Sequence, residues 1–403
     1  MSQDRPMFSI VMPTRNRAAL LPYALQSALD QTFTDYEIVV SNNFSSDDTE
    51  KVIRQVGGER VRYVRTDRVL PMHDSWDFAL AQARGEWVLF LCDDDAIYPE
   101  ALQIIKRTME AEQTELVVWR TGLYYIDSPY IPPERRGHLV LPHCSGKPIR
   151  MSSKSQLEAL FKLEFDTNMI PKMLNCCCRH TLIERVKQRL GRLFPPPSPD
   201  FSCCAGMLAM TDSYILIERQ LMLGGCGSHV PGVSADGKQP TTHVDFVNDL
   251  QGLVYDEVPL TQVTSMNGIA ESLLKVKTAM PAELSGLTLD RASYFIWCYR
   301  DITELANDRL DVSALRKELF AALARESLWV QLKVRTKMLE PRMPLFLRRG
   351  TVRRLILRLG ILRLLDATVR RGRRKVVGWE GGFPNILEAV RYASRISQDS
   401  PKS

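Results

Sequence analysis

No apolar run in this 403-residue chain reaches the roughly 18 residues that a bilayer-spanning helix needs, so a polytopic membrane protein is excluded. The opening residues, Met1 to Arg5, lead into a strand-like segment without a signal peptide's apolar stretch, and a cytoplasmic setting is expected. None of the nine cysteines forms a C-x-x-C pair. Adjacent ones, Cys176-Cys177-Cys178 and Cys203-Cys204, make poor disulfide partners, so they read as reduced thiols filling a core. Internal repeats are absent, and low complexity is confined to Pro195-Pro196-Pro197 and the polar stretch after Ser397. What is present, 45% hydrophobic and 25% charged residues, is the balance of an ordinary globular protein, which excludes wholesale disorder. The length implies one large domain with an appendage, or two domains.

Charge is unevenly spread. Between Arg342 and Lys375 stand twelve basic residues and one acid, Asp366. That segment carries +11 of a chain total of +6, which leaves the main body mildly acidic at −5.

The first 120 residues alternate between two periodicities. Short β-branched runs at Phe8–Met12, Tyr36–Val40, Val61–Val64, Trp87–Leu91 and Leu116–Trp119 read as buried strands. Helical spacing falls between them, over Ala18–Leu29, from Asp47 with Glu50 completing a capping-box-like pair, over Asp74–Ala83, and over Pro99–Glu112. Such alternation predicts an α/β fold with a mostly parallel sheet covered on both faces. Ligands of such sheets bind beyond the C-terminal strand ends. Those ends are Pro13 to Arg17, Ser41 to Asp48, and Cys92 to Asp95.

The fourth strand delivers three consecutive acids, Asp93-Asp94-Asp95, to one rim. Like charges this close raise one another's pKa unless a cation neutralises them, and Mg²⁺ or Mn²⁺ suits such oxygen donors. The competing reading is an acid-rich helix start before Pro99, where the helix macrodipole favours negative charge.

Taken together, Ser9-Ile-Val-Met-Pro-Thr-Arg-Asn16, Glu37-Ile-Val-Val-Ser-Asn-Asn43 with Ser45-Ser-Asp-Asp-Thr49, and Ala83-Arg-Gly-Glu-Trp-Val-Leu-Phe-Leu-Cys-Asp-Asp-Asp95 resemble glycosyltransferase family 2. That family comprises inverting, nucleotide-sugar-dependent enzymes of the GT-A fold. The resemblance implies that Pro13, Thr14 and Asn16 lie beside the nucleoside, with Ser41, Asn42, Asn43 and Asp93 completing its site. It also implies that Asp94, with Asp95, holds Mn²⁺ or Mg²⁺, and that Asp95 alternatively contacts the transferred sugar. Two positions depart from the family pattern: Asn42 stands where an aspartate is usual, and Cys92 takes the first place of the D-x-D motif. Further on, Asn175 to Arg179 and Leu182 to Arg185 resemble the family's acceptor-side strand and helix. Asp200 sits where the family keeps its catalytic base, although a helix cap explains it too. Asp212, inside an expected helical stretch, is the second candidate.

The glycine-rich stretch Leu223 to Gly237 lacks a G-x-G-x-x-G frame and reads as a mobile loop able to close over bound nucleotide. His229 within it reaches the diphosphate or the metal, or is simply solvated. His73, just before the third expected helix, is placed toward the donor sugar.

From about residue 265 the strand pattern gives way to helices, expected at Ala270–Thr278, Asp290–Asn307 and Val312–Ala324. The expected organisation is a GT-A domain over 1–255, divided at 120/121 into nucleotide and acceptor halves. A helical region over 256–395 and a flexible tail over 396–403 follow. Segment 342–375 reads as a basic amphipathic helix that lies on an anionic membrane or packs on protein; it lacks the aromatic interleaving of a nucleic-acid binder. The expected partners are a nucleoside diphosphate sugar and a glycan or lipid-linked glycan, at the inner face of the membrane, with an oligomer allowed. A catalytically silent scaffold that binds a glycan or a protein is the alternative, and Asn42 and Cys92 favour it.

Overall fold

Phe8-Ser-Ile-Val-Met-Pro-Thr is buried at every position, as a strand covered on both faces must be, and it forms the middle of a large sheet. The computed structural model describes residues 5–128, 131–227, 255–261, 264–307, 311–339, 377–379 and 382–399. The expected basic helix at 342–375 and His229 lie outside them.

The first half is β1 (Phe8–Thr14), α1 (Leu21–Leu29), β2 (Tyr36–Asn42), α2 (Thr49–Val56), β3 (Val61–Arg65), α3 (Met72–Leu80) and β4 (Trp87–Phe90). Then come β5 (Ala96–Ile97), α4 (Ala101–Glu112), β6 (Leu116–Tyr125), β7 (Leu139–Leu141), β8 (Pro148–Ser152), α5 (Ser153–Phe161), β9 (Cys176–Arg179), α6 (His180–Leu190), α7 (Pro199–Ala209) and β10 (Ser213–Cys226). The helices α8 (Ser265–Ala279), α9 (Pro281–Leu284), α10 (Arg291–Asn307), α11 (Ser313–Leu323) and α12 (Leu328–Leu339) follow. The short strand β11 (Val377–Trp379) and α13 (Ile386–Asp399) end the order. The last helix thus runs past the expected start of the tail at residue 396.

Strands run in the order β11-β7-β6-β9-β4-β1-β2-β3. The pairs β4–β1, β1–β2 and β2–β3 are parallel, as the alternation predicts. Beyond β4 the sheet is mixed where a mostly parallel one was expected. The reason is β9, which inserts antiparallel between β4 and β6, pairing Val88 with Cys178 and Val117 with Cys177. Its three cysteines are fully buried, and all nine thiols of the chain are free.

Several motif residues serve the scaffold. The Ser9 hydroxyl donates to Glu37 (2.6 Å) and accepts from the Gly85 amide (2.7 Å). A Cβ on Gly85 would meet the Ser9 and Phe8 backbone, so glycine lets the turn before β4 lie against β1. The capping box expected at α2 is not formed. Glu50 instead accepts from Tyr63 (3.0 Å), Arg54 and Arg65 (both 2.8 Å), while Asp47 takes the Thr49 amide (3.1 Å).

Helices α8 to α12 share one hydrophobic cluster with α5, α6 and α7, in which Phe295, Cys298 and Leu273 join Phe161, Val186 and Cys203. Polar ties reinforce this layer: Trp297 Nε1 donates to the Leu163 carbonyl (3.2 Å), and the Ser198 amide to Ser272 Oγ (2.9 Å). At the other side α13 returns to α1 and α4, with Arg391 2.7 Å from Asp30 and Ser394 donating to Glu100 (2.6 Å). No helix among the described residues is long and apolar enough to cross a membrane.

Candidate active site

The pairing register brings the expected strand ends to one edge. Thr14 lies opposite Asn42, and Val11 opposite Phe90, which puts Asp93 level with Thr14. Backbone turns then lock the loops together. Asn16 adopts a left-handed backbone (φ 54°), which asparagine tolerates; its amide donates to Ser45 Oγ and its Oδ1 accepts from the Ser46 amide, both at 2.9 Å. The Arg17 and Ala18 amides reach Thr49 Oγ1 (3.1 Å) and Asp47 (3.0 Å). Phe44 is also left-handed (φ 52°), an unusual state for a bulky residue, and exposes its ring beneath the Arg65 guanidinium at 5.0 Å.

The nucleoside residues expected from the sequence divide into two groups. Asn16 is exposed at the rim, whereas Pro13, Thr14, Ser41, Asn42 and Asn43 are buried. Asn42 spends its amide internally: Oδ1 accepts from the Ser45 amide (2.8 Å) and Nδ2 donates to the Tyr63 hydroxyl (3.1 Å). Asn43 likewise clamps Leu70 through both ends of its amide (2.8 Å each). These two side chains therefore shape the loop. Their neutral amides supply one donor and one acceptor each, a task that a carboxylate, an acceptor only, cannot perform.

At the end of β4 the three acids take different surroundings. Asp93 is buried, with Oδ1 3.4 Å from Arg17 Nε. Burial and the neighbouring Asp94 push its carboxyl up to about 7, against the lowering pull of Arg17. Asp95 accepts from the Gly225 amide (3.0 Å), and burial, then Asp94 and Asp93, hold it well above the carboxylate range. Gly225 is required there, because a Cβ would collide with the Asp94 carbonyl oxygen. Donor atoms of Cys92, Asp94 and Asp95 all lie within 4.8 Å of one another. Burial, then Asp95, Asp94 and Asp93, raise the Cys92 thiol well above its usual range, so it is a protonated, weak ligand at neutral pH. The two carboxyls fit a hard divalent cation, whose charge would offset the repulsion between them.

Beside Asp95 opens a cavity of about 280 Å³, lined on its polar side by Thr121, Lys172 and Asn175 and on its apolar side by Leu123 and Pro142. Asn175 is buried, and its Nδ2 has no partner among the described residues. Asp200 occupies the first turn of α7, after Pro199. Burial raises its carboxyl, and the Lys172 ammonium and the Phe201 amide pull it down. Lys172 acts electrostatically on both Asp95 and Asp200, which ties the strand-end acids to the α7 terminus.

The remaining expected residues sit on other elements. Asp212 lies exposed in the turn between α7 and β10, since the helix stops at Ala209. His73 sits in α3 with Nε2 3.5 Å from Asp74. The stretch read as a loop from Leu223 begins as strand: β10 continues to Cys226, paired with β6 through Tyr125. Arg17, Lys172, Asn175 and Gly225 escaped the sequence reading as site residues. Arg17 had a signal, its place directly after the first motif. Asn175 had one too, at the start of the stretch that resembles the family's acceptor-side strand, whereas Lys172 carried none, being brought in by a connection of no regular structure.

Residues 9–178 match the sequence model described as Glycosyl transferase family 2. Over 103 residues the chain is 38% identical to the GalNAc(5)-diNAcBac-PP-undecaprenol beta-1,3-glucosyltransferase of Campylobacter jejuni, covering 25% of this chain and 33% of that protein. Over 96 residues it is 38% identical to a PGL/p-HBAD biosynthesis glycosyltransferase of Mycobacterium bovis, covering 23% and 37%. The chain thus spans about a third of the length of these curated relatives. A crystal structure of S. aureus TarS 1–349 in complex with UDP-GlcNAc aligns with a TM-score of 0.47 and 15% identity, over 83% of this chain and 91% of that one.

Proposed function

We propose that the chain, whose residues 9–178 match the model described as Glycosyl transferase family 2, is an enzyme of that family on a GT-A fold and transfers a sugar from a nucleoside diphosphate sugar to an acceptor hydroxyl with inversion. The observation that carries this reading is the meeting of the Arg17–Asp93 pair and the Cys92/Asp94/Asp95 cluster at one edge of the sheet, beside a cavity whose Lys172 acts on both Asp95 and Asp200. The acceptor oxygen attacks the anomeric carbon from the face opposite the diphosphate. Its proton passes to the Asp200 carboxylate as the new C–O bond forms. The old anomeric C–O bond breaks, and its electron pair leaves with the diphosphate. A carboxyl raised by burial is the stronger base for this task.

Asp93, oriented by Arg17, takes a ribose hydroxyl, and Thr14 and Asn16 border the nucleoside. Asp94 and Asp95 would hold Mn²⁺ or Mg²⁺, which when bound supplies positive charge for the diphosphate oxygens. The cavity lined by Thr121, Lys172 and Asn175 takes the transferred sugar, where Asn175 Nδ2, its Oδ1 held by the Lys172 backbone amide, donates to a sugar oxygen. The names of the relatives support a lipid-linked glycan or glycolipid as acceptor. The boundary near residue 255, the helical region beyond it and a site at the inner face of a membrane complete the proposal.

The test is calorimetric titration of UDP, GDP and TDP with and without Mn²⁺, on wild type and Asp94→Ala. Metal-dependent binding of one nucleotide, lost in the variant, is the expected result. A folded protein that binds none of the three leaves the silent scaffold as the reading.

A further inference from the structure

Helix α12 carries apolar side chains on two opposite sides. Its inner side is ordinary, with Val330 and Val334 buried in the cluster shared with α10. Its outer side is not. Leu328, Trp329 and Leu332 are 83%, 58% and 67% exposed, the three most exposed large apolar side chains among the described residues. At 3.6 residues per turn they form one stripe, continued one turn on by the exposed Arg335. Lys333 reaches back over the Trp329 ring at 5.0 Å. On α11 the exposed Phe320 follows Arg316 and Lys317 by one turn, and Arg325 is exposed between the two helices.

Scattered exposed apolar residues are normal, but a tryptophan and two leucines grouped on one helical stripe are not what a fully solvated surface selects. The charge beside the stripe points to the occupant. Residues 313–339 carry six basic side chains and two acids, and the +11 run begins at Arg342, three positions after the helix ends. Apolar anchors that include tryptophan, rimmed by arginine and lysine, have the composition of elements that settle at the headgroup level of anionic bilayers.

We propose that α12 docks the protein on an anionic lipid bilayer. Leu328, Trp329 and Leu332 enter the boundary between headgroups and acyl chains. Arg325 and Arg335 pair with lipid phosphates. Because α12 packs on α10, and α10 shares its hydrophobic cluster with α7, docking there ties the helical layer that ends at Asp200 to the lipid surface.

The full chain is tested for sedimentation with vesicles of phosphatidylcholine containing phosphatidylglycerol, at physiological ionic strength. Wild type binds these and not pure phosphatidylcholine. A variant combining Leu328→Ser, Trp329→Ser and Leu332→Ser binds at least roughly tenfold more weakly, given the apolar area removed, while its thermal unfolding is unchanged. Comparison of wild type with Trp329→Phe isolates one fluorophore: it is quenched by acrylamide without lipid and shielded with it. Equal binding by the triple variant, or no binding to anionic vesicles, overturns the proposal. Shielding of Trp329 before lipid is added overturns it in favour of another segment of this chain. A wild-type dimer that the triple variant dissolves, seen by sedimentation equilibrium, overturns it in favour of a second copy.

Discussion

Arg17 and Asp93 face each other across the ends of β1 and β4, Nε to Oδ1 at 3.4 Å, with both side chains largely buried. The guanidinium is what favours the ionised form of an acid that burial and Asp94 otherwise push up to about 7.

This pair predicts a pH effect of definite sign. Arg17→Ala removes the lowering influence, so Asp93 ionises only at higher pH. If the ionised carboxylate is the ribose acceptor, the rise of nucleotide affinity with pH moves upward in that variant. Asp93→Asn weakens nucleotide binding roughly tenfold or more and flattens the profile, as expected for loss of a charged hydrogen bond of about 1.5–3 kcal/mol. Calorimetric titration from about pH 6 to about pH 9 reads both. An unmoved profile in Arg17→Ala would contradict the role given to the pair.

Position 92 is expected to tune the affinity of the proposed cation site. Its protonated thiol contributes little to a hard cation, so Cys92→Asp is expected to tighten Mg²⁺ binding about tenfold, by adding an oxygen donor to Asp94 and Asp95. The same change costs stability in metal-free buffer, because another carboxylate joins a crowded cluster. Mg²⁺ titration followed by thermal unfolding measures both effects. Equal Mg²⁺ affinity in the two proteins would remove position 92 from the site.

Asp200→Asn is expected to lower transfer about 10²–10⁴-fold while leaving nucleotide affinity unchanged, the signature of a lost base. Lys172→Ala should raise the pH at which activity appears, since Lys172 is a cation that pulls the Asp200 carboxyl down. A drop in nucleotide affinity that parallels the drop in turnover for Asp200→Asn would assign the residue to architecture.

Gly225→Ala forces a Cβ onto the Asp94 carbonyl oxygen and displaces the amide that holds Asp95. A loss of about 1–3 kcal/mol in urea unfolding is expected, together with weakened metal binding. Gly224→Ala, whose Cβ meets only ordinary contacts at 3.5 Å and beyond, is the control.

The helical layer has its own pH dependence. Asp301 accepts from the Met266 amide (2.6 Å) at the start of α8, and burial pushes its carboxyl up to about 6. Its folded pKa lies above the unfolded one, so its stabilising contribution is full below about pH 4 and lost as pH rises through about 6. The shift corresponds to about 3 kcal/mol. Urea midpoints for Asp301→Asn should fall less than those of wild type across that interval. Parallel curves would show that this carboxyl is not perturbed.

Periodicity made the first half readable. Five expected strands and four helices appear within a few residues of their sequence limits, because alternating and helical patterns report local geometry and burial together. The helices at 265–279, 291–307 and 313–323 were legible on the same ground. The acids at 93 to 95 were legible as a candidate site because a buried strand delivers them to the rim of the sheet.

Other features depend on chain segments far apart, and no local pattern encodes such pairings. β9 enters antiparallel between β4 and β6, a choice of neighbour rather than of conformation. Asn42, a departure when compared with the family pattern, becomes intelligible once Ser45 and Tyr63 are seen to need an acceptor and a donor from it. Gly225 is a loop glycine by composition and an anchor by contact, since only the return of β10 beside β6 sets it against Asp95. Local chemistry settled which residues can bear charge at this edge; close packing between distant strands settled which of them meet.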